Sequence, residues 1–223
     1  MVKPKLRKLA DNIYCLEFKN AYDLSMTFLR YQEYHESPKF RGKFFTLSDF
    51  MEWYSKKYGN GTFTYTTDYV GFNLPSEDII RVLKEIRTSE YDMWTPYDQV
   101  MYDTVCKIID QQPYRNPRFY LIGITNPPVS KVILPHEFAH SLYTINIEYR
   151  KQMDILLKQL PKKIWEKTVK YLKNNGYASN VYKDEAQAYL ATGLYIFKNV
   201  KNIQKRLSPF KKVFKYFSKG IIK

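Results

Sequence analysis

The feature that most constrains this chain is the segment 134–143, which reads LPHEFAHSLY. It places a His-Glu-x-x-His pattern inside an apolar stretch that is compatible with a helix. On a helix, His136 and His140 lie one turn apart on one face, with about 5–6 Å between their Cβ atoms. Both imidazoles can therefore reach a single metal ion. Glu137 lies about 100° around the helix, where its carboxylate can accept a proton from a metal-bound water.

Two histidines leave a catalytic zinc site one protein ligand short, because such sites use three protein groups and a water. The chain contains three histidines and two cysteines. The others, His35, Cys15 and Cys106, all precede the motif, so a ligand that follows it must be a carboxylate. The candidates are Glu148, Asp154, Glu166, Asp184 and Glu185.

Glu185 is the preferred third ligand, and Asp184 is the second choice. This acidic pair opens an apolar, alanine-rich helix that can pack against the motif helix. Glu148 lies two helical turns, about 12 Å, beyond the second histidine. Asp154 and Glu166 lie in lysine-rich helical sequence, which favours solvated ion pairs.

The motif His136-Glu137-x-x-His140, followed by a helix with Asp-Glu-x-x-Ala, resembles the zincin metallopeptidases. It is most similar to the gluzincin branch, whose third ligand is a glutamate. The match covers roughly residues 131–145 and 183–191. The resemblance implies that His136, His140 and Glu185 bind Zn²⁺. It also implies that Glu137 is the general base of a hydrolase acting on peptide or protein substrates.

The chain departs from the gluzincin pattern at two points. Many gluzincins carry an acid four residues after the ligand glutamate, where it orients the first histidine, whereas this chain has Tyr189 there. The 44 residues between His140 and Glu185 (141–184) exceed the spacing of thermolysin-like enzymes. An oxyanion also needs a donor besides zinc, and we expect Tyr189 to supply it. The alternatives are Tyr143, Tyr182 and His35.

The pattern along the chain predicts an α+β, zincin-like fold. Residues 1–130 form an N-terminal lobe with a small sheet and helices, and residues 131–223 form a helical lobe that contains the motif helix. The two are expected to make one catalytic unit with a cleft between them. The clearest strand is Arg118 to Ile124. In zincins a strand at this position lines the cleft, so we expect a free edge to which an extended peptide can add.

Local signals predict the remaining elements. Residues 1–10 are basic and are expected to be a poorly ordered arm. Strands are expected at 12–18 and within 62–73, and the motif helix should begin near 133–135 with Pro135 in its first turn. Apolar periodicity predicts further helices at 21–36, 46–58, 75–88, 97–111, 148–160, 161–174, 180–199 and 201–218.

Composition describes an ordinary globular chain, with 44% hydrophobic and 26% charged residues. The chain lacks an apolar run of about 18 residues, and no apolar segment follows its basic start. We therefore expect a cytoplasmic protein. The excess of lysine, tyrosine, phenylalanine and isoleucine is typical of an AT-rich genome, such as that of an AT-rich bacterium, a phage or another virus.

The net charge of +14 leaves a second function open. Lys198 to Lys223 contain nine lysines and arginines and no acid. Such a segment can contact nucleic acid or anionic lipid, or it can be a docked helix with a lysine-rich outer face. We favour the docked helix, because residues 193–197 resemble core sequence. The alternative to an enzyme is a basic, non-catalytic protein with a structural or inactive metal site.

Overall fold

The computed structural model describes residues 3–90, 92–112, 118–126, 130–175, 177–193 and 203–221, with backbone alone for 130–132 and 203–204. These residues form an α+β structure with four strands and ten helices. The chain divides into two compact units, Met1–Ile133 and Leu134–Lys223. The expected core-like segment at 194–197 and the first part of the basic tail lie outside the described residues.

The first unit is built on a four-stranded sheet with the order β1-β2-β4-β3. The strands are β1 Lys5–Ala10, β2 Ile13–Phe18, β3 Gly71–Pro75 and β4 Tyr120–Thr125. β2 and β4 are parallel, whereas β1 and β3 are antiparallel to their neighbours.

The strand predicted at 118–124 exists as β4, but the expectation that it has a free edge is wrong. β4 pairs with β2 on one side and with β3 on the other, and all six of its residues are buried. Its continuous apolar sequence suits an interior strand that is covered on both faces. An extended peptide therefore cannot add to β4, because both of its hydrogen-bonding sides are occupied.

The expected N-terminal arm is also wrong, because Lys5–Ala10 forms an edge strand. β1 pairs with β2, Arg7 forms an ion pair with Glu17, and Leu6 packs against the core. The pairing partner lies just beyond a two-residue turn, so the basic residues are held by a local hairpin.

The strand expected within 62–73 is only partly present. The short helix α3, Tyr65–Asp68, comes first, and β3 follows at Gly71–Pro75. Asp68 Oδ2 accepts hydrogen bonds from Thr64 Oγ1 at 2.7 Å and from Tyr54 Oη at 2.8 Å. These bonds to the Asp68 side chain favour a helical turn over a strand at this point.

The predicted helices of the first unit are confirmed. They are α1 Ala21–Glu36, α2 Leu47–Lys57, α4 Ser76–Thr88 and α5 Pro96–Asp110. α1 is capped by Asn20, whose side chain accepts from the Asp23 backbone N–H. α1 lies against β4 at Gly123, where a Cβ would approach the Phe28 ring to 2.5 Å. Glycine at 123 therefore allows this close packing.

The second unit contains helices, and its described residues include no strand. The helices are α6 Ser130–Ile145, α7 Ile147–Lys158, α8 Lys162–Asn174, α9 Tyr182–Thr192 and α10 Ile203–Phe217. α6 begins about one turn earlier than predicted, so Pro135 lies inside it at the cost of one backbone hydrogen bond. α9 ends earlier than predicted, because Gly193 adopts φ 73° and caps it.

The basic helix α10 is docked, as we preferred from the sequence. It packs on α7 and α9 within the second unit, and its buried face carries Leu207, Phe210 and Phe214. The Phe214 ring lies 6.4 Å from the ring of Phe138 on α6. None of the helices in the described ranges is long and apolar enough to cross a membrane.

Candidate metal centre

The two motif histidines lie on the buried face of α6. His136 is 8% exposed and His140 is 3% exposed, and their Nε2 atoms are 3.3 Å apart. Two zinc–nitrogen bonds of about 2.0–2.1 Å at a tetrahedral angle separate the nitrogens by about 3.3 Å. The imidazoles are therefore spaced as two ligands of one ion would be.

Glu185 on α9 lies close to the two histidines. Its Oε1 atom lies 3.8 Å from His140 Nε2, and one ligand atom from each of the three residues lies within 4.8 Å of the others. All three residues are buried. Two imidazoles and a carboxylate are a donor set that suits zinc, and three protein ligands leave a position for water.

Asp184, which precedes Glu185 on α9, orients His140. His140 Nδ1 lies 2.8 Å from Asp184 Oδ1 and donates to it when Nε2 is free to bind a metal. A carboxylate behind a ligand histidine fixes the ring and its tautomer. Asp184, the second choice for a ligand, is thus placed behind the histidine, while Glu185 faces the Nε2 atoms.

Gln187 and Tyr149 hold this arrangement together. Gln187 Nε2 donates to Asp184 Oδ1 at 3.0 Å and to the Ala139 backbone carbonyl at 3.3 Å. Tyr149 Oη donates to Gln187 Oε1 at 2.8 Å. Gln187 therefore links α9 to α6 and fixes the carboxylate that contacts His140. Sequence reasoning missed both residues, although a glutamine within the alanine-rich stretch of α9 is an unusual core residue.

The carboxylates around His140 dominate its electrostatics. Burial lowers the pKa of His140, but the charges of Asp184 and Glu185 outweigh it and raise this pKa to about 10. The pKa of His136 lies well below its ordinary value, because the ring is buried and lies beside His140. The site thus favours a cation near His140 and disfavours a proton on His136.

His136 is contacted by Tyr189, the residue that replaces the expected acid. The two ring centroids are 4.7 Å apart. His136 Nδ1 is buried and has no hydrogen-bond partner among the described residues. Tyr189 Oη lies 3.5 Å from Tyr177 Oη. Tyr189 therefore positions His136 by ring packing, whereas a hydrogen-bonding carboxylate holds His140.

Glu137 lies beside the group. It is 7% exposed, and its charge contributes to the raised pKa of His140. Its carboxylate therefore lies close to the histidines without belonging to the group that converges on one point. The role of Glu137 as a general base stays a prediction.

The other candidate ligands and donors have different contacts. Glu148 and Glu166 are exposed, and Asp154 Oδ1 accepts a hydrogen bond from Tyr143 Oη at 2.6 Å. His35 lies near the end of α1 in the first unit, and its Nδ1 atom is 2.6 Å from Asp78 Oδ2. Tyr182 lies in the first turn of α9. Of the tyrosines considered, Tyr189 is the one whose ring contacts a motif histidine.

Comparisons with protein-family models, curated proteins and solved structures find no match to this chain.

Proposed function

We propose that the protein is a zinc-dependent hydrolase, most simply a metallopeptidase with a zincin-like fold. The observation that carries the proposal is the 3.3 Å separation of the His136 and His140 Nε2 atoms, with the Glu185 carboxylate beside them in a buried group. His136, His140 and Glu185 would hold the ion. A zinc ion at such a site activates a water molecule and polarises the carbonyl of a substrate.

Three residues of the protein would carry out proton transfer, positioning of His140 and stabilisation of the oxyanion. Glu137 accepts a proton from the attacking water and passes it to the leaving amine. Asp184 holds His140 in the tautomer whose Nε2 is free. Tyr189 packs against His136 and is the proposed donor to the developing oxyanion. Burial and the charge of Glu185 raise the pKa of Tyr189, so its hydroxyl stays protonated and able to donate.

Metal content and a chelator-sensitive digest test this function. Purified protein is expected to contain about one zinc per chain and to cleave members of a mixed peptide library, and a chelator should abolish the cleavage. Glu137→Gln should retain the metal and lose the cleavage, because this carboxylate transfers a proton and is not a ligand. Protein that neither contains nor takes up zinc would contradict the proposal.

A basic, non-catalytic protein is the second candidate. The exposed face of α10 favours it, because that face carries lysines and arginine, among them Lys205, Arg206, Lys212 and Lys215. Such a face can bind a polyanion, with an affinity that falls steeply as salt increases. Stable, metal-free protein that binds nucleic acid or anionic vesicles and cleaves no peptide would favour this candidate over the hydrolase.

A further inference from the structure

The net positive charge of the chain is concentrated in the unit that contains the candidate metal centre. Residues 134–223 carry 18 lysines and arginines against 6 acids, a net +12, whereas residues 1–133 carry 18 against 16, a net +2. The second unit therefore supplies almost all of the net +14. An AT-rich genome explains many lysines, but it does not explain why the acids are confined largely to the first unit.

Three of these lysines surround a cavity within the second unit. The cavity has a volume of about 390 Å³ and is lined by Lys158, Lys162 and Lys183, with Leu157, Leu160 and Trp165 as its apolar part. A volume of this size is typical of ligand pockets. Lys158 and Lys183 form no ion pair with any described residue, and Lys162 has only a distant one, 3.9 Å from Glu166. The cavity therefore combines an apolar wall with three lysines and one acid, Asp154, which leaves a surplus of two positive charges.

Two connections link this cavity to the residues behind His140. Asp154 also lines the cavity, and it accepts a hydrogen bond at 2.6 Å from Tyr143, which is three residues after His140 on α6. Lys183 immediately precedes Asp184, the residue that holds His140. The nearby Asp184 charge also helps to raise the pKa of Tyr143. A substrate side chain in the cavity would thus lie on the Asp184 side of His140.

We propose that this cavity binds an acidic side chain of the substrate, so that the enzyme selects aspartate- or glutamate-containing peptides. The inference rests on the proposed peptidase function and names its substrate class. The lysines attract the carboxylate, while Trp165 and the two leucines cover the methylene groups of a glutamate. The surplus charge on the rest of the unit attracts the flanking acidic sequence from solution.

Binding and cleavage test the proposal separately. The Glu137→Gln protein is loaded with zinc and titrated with a fluorescein-labelled decapeptide of alternating Glu and Ala, with a Gln/Ala peptide as its neutral match. The pair Lys158→Gln and Lys162→Gln removes two cavity charges. The control pair Lys170→Gln and Lys173→Gln removes two exposed charges from α8 outside the cavity. The active protein is then tested on peptides in which one position at a time is Glu, Gln or Lys.

The cavity pair is expected to weaken binding of the Glu/Ala peptide about five- to tenfold at low salt, the size typical of partly exposed ion pairs. The control pair should change it less than about twofold, and Glu should be preferred at one position of the cleaved peptides. Equal losses in both pairs would overturn the proposal in favour of diffuse charge. Tighter binding of oligothymidine that depends on the same cavity pair would also overturn it. Cleavage of no peptide at all would refute the peptidase function, while the binding titration would still decide the cavity.

Discussion

His140 and Asp184 form a histidine–carboxylate pair across two helices, with 2.8 Å between Nδ1 and Oδ1. The pair turns Nε2 of His140 towards His136 and Glu185. Because Glu185 directly follows Asp184, one turn of α9 supplies both a proposed ligand and the group that orients another ligand.

The first prediction concerns this pair. Asp184→Ala is expected to weaken zinc binding by about 10–100-fold, the usual effect of losing a carboxylate behind a ligand histidine. Asp184→Asn should lose less, because its amide oxygen can still accept from Nδ1. Titration against a chromophoric chelator measures both. Asp154→Ala is the control, since that carboxylate binds Tyr143. Unchanged affinity in Asp184→Ala would contradict the orienting role.

The second prediction separates Glu185 from the other carboxylates. Glu185→Ala should weaken zinc binding more than Asp184→Ala does, because it removes a proposed ligand and not only the partner of one. Glu148→Ala and Glu166→Ala should leave the affinity unchanged within about twofold, since both side chains are exposed. The same titration compares all four variants. A larger loss in either exposed variant would refute Glu185 as the third ligand.

The third prediction concerns Glu33, a buried residue of α1 in the first unit. Burial raises its pKa from 4.5 to about 7. Between pH 4.5 and pH 7 the unfolded chain therefore loses a proton that the folded chain keeps, so stability falls as the pH rises through this range. Glu33→Gln should remove this loss and be more stable than the parent by about 3 kcal/mol at pH 8.

Urea unfolding at pH 4 and at pH 8 measures this effect. The advantage of Glu33→Gln should shrink towards zero at the lower pH, where the Glu33 carboxyl is protonated in both states. Glu52→Gln is the control, because its side chain is 64% exposed. An advantage that is the same at both values of pH would show that the pKa of Glu33 is not the cause.

The fourth prediction tests how α10 is held. Phe210 is 2% exposed, so Phe210→Ala should destabilise the second unit by about 3–5 kcal/mol. Tyr216→Ala on the same helix should cost less than about 0.5 kcal/mol, because its ring is 75% exposed. Thermal melting of the two variants gives the comparison. Equal melting temperatures would mean that the buried face of α10 contributes little.

Local patterns in the sequence were enough to assemble most of the candidate site. The spacing of His136 and His140 follows from helical geometry, and the absence of a later His or Cys directs the search to carboxylates. Sequence reasoning preferred Glu185 to Asp184 as the third ligand, but it could not show which group Asp184 contacts. That contact depends on the rotation of α9 against α6, which is set by the contacts of Gln187 with Ala139 and Tyr149.

The order of the strands in the sheet could not be predicted from local sequence. The strand character of β4 is evident from its apolar run, but its place between β2 and β3 depends on pairing with residues about 50 and 100 positions earlier. An edge strand and an interior strand differ in such distant partners more than in their own residues. The expectation of a poorly ordered arm at residues 1–10 failed for a related reason. The strand β1 is defined by its pairing with β2 and not by its own basic residues.

The burial of His136, His140, Glu137 and Glu185 has a thermodynamic consequence. Burying polar groups away from water lowers the free energy of unfolding of the metal-free protein. An ion that binds only the folded chain would raise it again by mass action. At 100 times the dissociation constant, the ion adds about 2.7 kcal/mol to the free energy of unfolding. If the proposed site binds zinc, the abundance of folded protein in a cell would follow the supply of free zinc, so that metal limitation would lower the amount of the protein itself.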